Sequence, residues 1–558
     1  MKNEVPYQVP NPTDVERHAI LRFFLKSDNR EEDFDEIIKL LSPPPNIEKI
    51  ASKEQGRKFK VAIIGAGLSG LCAAYELNKI GCDITIFEAS NRIGGRVKTH
   101  FFDKSKNQYG ELGPMRIPPS HETTWHYINE FKLRTIPFIS KSTSSLFFVR
   151  NSYAVNNPVS IMENIYPQFD LPDGEKKRTP DELIGKLYKK YFFSLSKEER
   201  KELLQIKRDY SKKIKEIQSI SLRQGYENTG LSQNAISLIS NISALEGDLI
   251  NISLIEILAE YYTLDFLYTY TIEGGIINLP LAFYNQLINS KGPGKVNFRL
   301  HSLVNSIIQS PYDSRKIILE ILDLNDNSYF YNDFDFVICA IPFSSLRRIK
   351  VNPPFTVRKM QAINELNYEI GQKTLLYLKE RFWERDKNNP LSGTTLTDLI
   401  TILTVYPSDH LVPIKGELFK YKLKENTSYK EPGTLLASYN WNQNAVRLGK
   451  EYENLRITEI IRSIEKIHKL PEGYMEDTLI DYAYILWSEV PFIWGGVCFM
   501  LPNQKELFLY DSTTPEMDGR VHFAGEHVST KHGWMQGALQ SGMLVANNIA
   551  KLIRDNYK

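Results

Sequence analysis

The chain has 558 residues, of which 42% are hydrophobic and 24% charged. That length and balance suit two or three domains with real cores and exclude a disordered chain. Its 69 basic and 67 acidic side chains leave a net charge of +2, which offers no general attraction for nucleic acid or an anionic membrane and points to a small partner.

Residues 1 to about 56 contain two short helical patterns and the break "SPPP", Ser42 to Pro45. They read as an N-terminal extension packed on the body. The opening "MKNEVPYQVPNPTDVERH" lacks the apolar core of a secretory signal, and no later segment is apolar over the ~18 residues of a membrane span, so a cytoplasmic location is expected. Cys72, Cys82, Cys339 and Cys498 form no CxxC or zinc-ligand spacing. Buried free thiols and no metal site are expected.

"KVAIIGAGLSGLCAAYELNKIGCDITIFEAS", Lys60 to Ser90, reads as strand, glycine turn, helix and second strand ending in an acid, which is a mononucleotide-binding half. Gly65, Gly67 and Gly70 allow a tight turn, close approach to a pyrophosphate and close helix-strand packing, while free N–H groups at the helix start attract phosphate. Glu88 stands where an acid accepts from ribose hydroxyls. In "ASNRIGGRVKTH", Arg92 and Arg96 bracket Gly94 and Gly95, two guanidinium forks suited to a diphosphate. The succession GxGxxG, Glu, RxGGR resembles the FAD-dependent amine oxidase superfamily, so the resemblance implies FAD where the fold pattern alone leaves NAD open.

"YGELGPMRIPPSH", Tyr109 to His121, sets Arg116 among Gly, Pro, Leu, Met and Ile. A guanidinium in such a setting needs an anion, either Glu111 or a ligand. Glu111 and Arg116 flank a Gly-Pro turn and need not face each other. "GPMRIP" followed by His121 resembles the L-amino acid oxidases, where the matching arginine grips the substrate carboxylate; Gly113, Met115 and Arg116 are then also expected to border the cofactor.

From Thr179 to about Phe266 the pattern is helical. "SLSKEERKELL" offers Ser196 as an N-cap with Glu199 three residues on, and the lysine-rich face after it reads as solvated surface. L-amino acid oxidases carry a mobile histidine from this region over the flavin, but this chain has no histidine between His126 and His301. In "SLIEILAEYYTLDF" Glu260 falls at its place by register, with Glu256 one turn earlier on the same face. Two readings stand: ordinary acids at the solvent edge, or a pocket-facing Glu260 that accepts the amine proton or pairs with a cationic substrate side chain.

After "EGGIINLP", β-rich runs return in "KVNFRL", "KIILEILDL" and "FDFVICAIP", followed by a mixed region to about Pro502. The resemblance places the Val304 backbone near adenine, Lys373 of "NYEIGQKTLLYLKERFW" near flavin N5 through a water, and Tyr439 of "LLASYNW" beside Arg116 on the carboxylate. It makes Trp487 and Trp534 aromatic walls, gives the Gly533 carbonyl to the substrate amine, and sets Glu526 of "HFAGEH" at the ribityl and diphosphate region. Met535 and Ala538 lie on the helix opened by "HGWMQGALQSG", whose N-terminus points at the pyrimidine and favours negative charge there.

The fold class so implied is α/β. A discontinuous Rossmann-like FAD-binding domain (57–98, 275–350, 503–558) joins a mixed α+β substrate-binding domain (99–160, 351–502) and a helical domain (161–274). The activity implied is oxidation of an L-amino acid to a 2-oxo acid with ammonia and hydrogen peroxide, by hydride transfer from Cα, with O2 as acceptor. Lys373 and Glu260 are the candidate catalytic groups. Relatives of this kind are often dimers, and the resemblance extends that expectation here. The alternatives are an amino acid 2-monooxygenase, an oxidase of another amine, and a flavoprotein with a binding role only.

Overall fold

The computed structural model describes residues 5–243, 246–289 and 294–556. The apolar run Lys60–Ile64 forms the centre of a five-stranded parallel sheet, flanked by Asp83–Phe87 and then Val296–Arg299 on one side and by Phe336–Cys339 and then Val521–Phe523 on the other. Strands buried on both faces read as continuous apolar runs, as Lys60–Ile64 and Phe336–Cys339 do, whereas the edge strand Val296–Arg299 is part exposed. Helix Leu68–Lys79 covers one face and packs along Met535–Asn556. This is a Rossmann-like arrangement assembled from segments far apart in sequence.

"KIILEILDL" enters a separate four-stranded sheet, where Ile317–Asp323 lies antiparallel to Ser302–Gln309 and Tyr329–Phe334. Lys350–Asn352 completes it. A seven-stranded sheet joins Leu479–Leu486, Gly371–Leu378, Gly433–Trp441, Leu403–Val405, Thr394–Thr397, Leu146–Val149 and Ser152–Val155 in that order. Helices dominate from Pro180–Tyr191 to Leu254–Thr263, and the Ser196–Glu199 capping box forms at the start of Lys197–Glu202. The last of these helices ends at Thr263, close to where the helical pattern stops at about Phe266. The β-branched and aromatic Tyr270–Ile272 pairs antiparallel with Thr135–Pro137.

The N-terminal extension contributes Asp14–Ser27 and Phe34–Leu41 to the main core. Gln536 and Gln540 on the last helix donate to the carbonyls of Leu41 and Leu40, and Arg200 pairs with Asp33 at 2.9 Å. All four cysteines are buried free thiols. Among the described residues no helix is long and apolar enough to cross a membrane.

Candidate active site

The glycine turn forms one wall of a cavity of about 460 Å³. Gly67 caps the Leu68–Lys79 helix without a side chain, so no capping side chain covers the N–H donors there. Gly95 has φ +56°, and a Cβ on it would come within 3.2 Å of the Gly67 Cα, so the two glycine loops meet as closely as backbone allows. Gly65 lines the cavity with φ +103°, whereas Gly70 lies beneath it, where a Cβ would meet the Gly65 carbonyl oxygen at 2.1 Å. Gly70 therefore serves packing and not ligand contact.

Glu88 lines the same cavity and accepts from the backbone N–H groups of Ala66 and Ser90, both at 2.9 Å. Val304, Gly113, Met535 and Ala538 also line it. Arg96 donates to Glu526 at 2.6 Å and to the Gly496 carbonyl at 3.1 Å. Glu526 also accepts from the Gly533 N–H at 2.9 Å, which ties the diphosphate end to the start of the last helix. Arg92 departs from the expectation. Its guanidinium turns onto the carbonyls of Ile93, Gly95 and Val97 and holds the glycine turn together, leaving Arg96 as the fork that bridges to Glu526.

A second cavity, about 620 Å³, adjoins the first. Lys373, Tyr439, Gly533 and Trp534 line both. Lys373 and Tyr439 are opposite each other on paired antiparallel strands, which puts them on one face, and the Lys373 ammonium stands 4.5 Å from the Tyr439 ring centroid. Lys373 is buried and donates to the carbonyl of Gly113 at 2.6 Å. Burial, with the Arg116 charge nearby, brings its pKa down to about 7. Trp487 lines only the first cavity, where its indole donates to the Leu112 carbonyl at 3.0 Å. It stands on the cofactor side, away from the substrate position expected for it.

The chain turns at Gly113–Pro114, so Met115 and Arg116 line the second cavity and not the first, contrary to their expected place beside the cofactor. Arg116 has no ion pair among the described residues; its guanidinium stands 5.5 Å from the Phe266 ring centroid. Glu111 is no partner for it. The Thr99–Asp103/Gln108–Glu111 hairpin sets Glu111 against Thr99, whose hydroxyl donates at 2.9 Å, and the Ile276 N–H donates at 2.7 Å. His121 is likewise a structural residue, buried with its Nε2 3.2 Å from Asp265.

Helix Leu254–Thr263 turns both its acids inward, which overturns the solvent-edge reading. Glu256 meets His532 Nδ1 at 2.9 Å, and Glu260 accepts from Trp534 Nε1 at 3.1 Å. Burial raises the Glu260 pKa to about 8, although the Lys531 charge opposes it. Lys531 itself is ion-paired to Asp265 and donates to Thr263 at 3.0 Å. The sequence reading missed this network and Phe266, which stands 5.6 Å from Trp534. Lys531 falls between the quoted stretches "HFAGEH" and "HGWMQGALQSG".

A family profile described as flavin containing amine oxidoreductase matches residues 68–550. The chain belongs to that family. YobN of Bacillus subtilis (strain 168), whose name assigns it provisionally to the L-amino-acid oxidases, is 30% identical over 88% of this chain and 95% of its own. The L-amino-acid oxidase of Crotalus adamanteus is 27% identical over 93% of this chain and 91% of its own. Among solved structures, cyclohexylamine oxidase from Brevibacterium oxydans IH-35A superposes with a TM-score of 0.67 at 18% identity, covering 89% of this chain and 99% of that one. Putrescine oxidase bound to putrescine gives 0.66, also at 18%, covering 88% and 98%. At such identity these two show the fold alone.

The cofactor of this oxidoreductase is FAD, and the first cavity fits it. Bare helix N–H groups and the Gly67–Gly95 approach suit the diphosphate, and Glu88 stands at the end of the second strand for ribose.

Proposed function

We propose that this flavoenzyme oxidises free L-amino acids at Cα, releasing the 2-oxo acid, ammonia and hydrogen peroxide. One observation carries the reading: Arg116, partly buried among Pro114, Met115 and Phe266, has no carboxylate within ion-pair distance among the described residues. A cation so placed needs an anion from the ligand. Amines such as putrescine bring none, whereas an amino acid does.

In this reading Arg116 donates both arms of its guanidinium to the carboxylate and the Tyr439 hydroxyl adds a third bond. The Gly533 carbonyl accepts from the α-amine. These anchors are on different elements, so they fix Cα in three dimensions and present its hydrogen to the junction of the two cavities. Exchanging hydrogen and side chain at Cα turns the hydrogen away, which gives L selectivity. FAD, when bound, supplies the two-electron acceptor that O2 later reoxidises. Lys373 holds a positive charge at that junction where charge develops on oxygen.

The test is anaerobic mixing of the purified holoenzyme with L- and D-amino acids and with plain amines, followed by admission of air. Bleaching of the flavin by L-amino acids, then peroxide and 2-oxo acid, is expected. Bleaching by amines alone refutes the reading, and an amide product makes the protein a monooxygenase instead.

A further inference from the structure

The second cavity continues past Arg116 into the helical segment, and its far wall carries a second acid that no motif marks. Glu246, 5% exposed, lines it together with Glu260, 6% exposed. Neither acid has an ion-pair partner among the described residues. Glu260 Oε2 has no hydrogen-bond partner among the described residues, and its Oε1 takes one bond from Trp534. Glu246 accepts from the Tyr226 hydroxyl at 2.6 Å. Tyr188 lines the same cavity and lies within the electrostatic reach of both acids.

Every cation near these acids is already engaged. Lys531 is closed on Asp265, Lys373 on the Gly113 carbonyl, and Arg116 is needed for the α-carboxylate. Asp181 and Lys141 stand exposed at the mouth, with the Lys141 ammonium 5.0 Å from the Phe419 ring centroid. Burial raises the pKa of Glu246, which has no cation among its causes, and outweighs the Lys531 charge to raise that of Glu260. Two desolvated carboxylates on one chamber are costly unless the ligand supplies the positive charge.

We propose that Glu260 and Glu246 form a side-chain subsite for a cationic amino acid, so that the preferred substrates are L-amino acids ending in an ammonium or guanidinium, such as L-lysine, L-ornithine and L-arginine. The proposal rests on the reading of the protein as an L-amino acid oxidase. The chamber then matches its ligand charge for charge: Arg116 takes the carboxylate, Glu260 lies within electrostatic reach of Arg116 and Tyr439, and Glu246, outside that reach, lies further along the wall for the distal cation. Hydrocarbon between them runs past Ile257, Leu267 and Phe266.

The test compares L-lysine with L-norleucine, which has the same carbon chain without the ammonium, and with L-glutamine, which offers neutral hydrogen bonds. The holoenzyme is expected to favour L-lysine over both by at least about tenfold in kcat/KM, with the ratio falling at least about tenfold in Glu246→Gln and in Glu260→Gln. Should one variant fail to retain flavin, the other carries the measurement. A wild-type enzyme that oxidises L-norleucine or L-glutamine as well as L-lysine overturns the subsite and leaves the amino acid oxidase reading standing. So does a ratio unchanged in the variants. Oxidation of no amino acid overturns both.

Discussion

Replacing Arg116 with Met isolates the interaction on which the functional reading depends. The guanidinium has no internal ion pair among the described residues, so Met removes only a cation–π contact of 5.5 Å with Phe266, on the order of 0.5–1 kcal/mol. Global stability is therefore expected to stay within about 1 kcal/mol of wild type. Substrate binding loses far more. A bidentate charge-assisted pair contributes roughly 1.5–3 kcal/mol per bond, and the lower figure for two bonds, about 3 kcal/mol, is roughly a 150-fold fall in kcat/KM. The assay is anaerobic reduction of the enzyme-bound flavin by an L-amino acid and by the amine of the same side chain lacking the carboxylate. Only the amino acid should suffer. A KM for L-amino acids within about threefold of wild type, or an unfolding temperature that drops as it would on breaking an internal ion pair, refutes the reasoning.

Lys373→Met is expected to slow reoxidation by O2, read by stopped flow. The Lys373 pKa is lowered to about 7, so its charge is present below that pH and lost above it. The wild-type reoxidation rate should fall as pH rises through about 7, and the variant should be slow and flat across the same range; a variant as fast as wild type at pH 6 contradicts this. Asp265→Asn leaves Lys531 buried without its counter-ion and should cost about 3–5 kcal/mol, read from urea midpoints. The Lys531 and His121 charges outweigh burial and hold Asp265 at about 2 against its ordinary 3.8, so its contribution is complete above about pH 4 and vanishes as pH falls through 2. Equal midpoints at pH 7 would show that the pair is not stabilising.

The cofactor half was legible because its signals are local. Gly65, Gly67 and Gly70 act through backbone conformation within one turn, and Glu88 follows from the end of the next strand. The same holds for the Ser196 capping box. The substrate half depends on contacts between remote elements. Whether Arg116 had a partner was settled by the hairpin that sets Glu111 against Thr99, and no spacing within "ELGPMRIP" encodes that. Arg92 misled because a guanidinium beside two glycines suits a diphosphate and three backbone carbonyls equally well. The sequence left Glu256 and Glu260 open between helix-surface and pocket-facing acids, and the 529–534 loop, which brings His532 and Trp534 onto them, decides for the interior. Glu246 escaped altogether because its segment carries no pattern, and only the cavity wall reveals it.

The parallel sheet has a consequence for how the protein is made. Lys60–Ile64 and Asp83–Phe87 leave the ribosome early, but Val521–Phe523 and the helix that packs on Leu68–Lys79 come near the end of synthesis. The extension is tied to that same helix across a sequence separation of 495 residues, from Gln536 to Leu41. Contacts of such span form late and slowly. Until residues beyond 530 are available, the helix Leu68–Lys79 lacks its packing partner, and the apolar surface it shares with that partner stays uncovered and prone to aggregate. Flavin supply during expression should decide how much of the chain reaches the folded state, since ligand binds only the closed form and draws the equilibrium toward it.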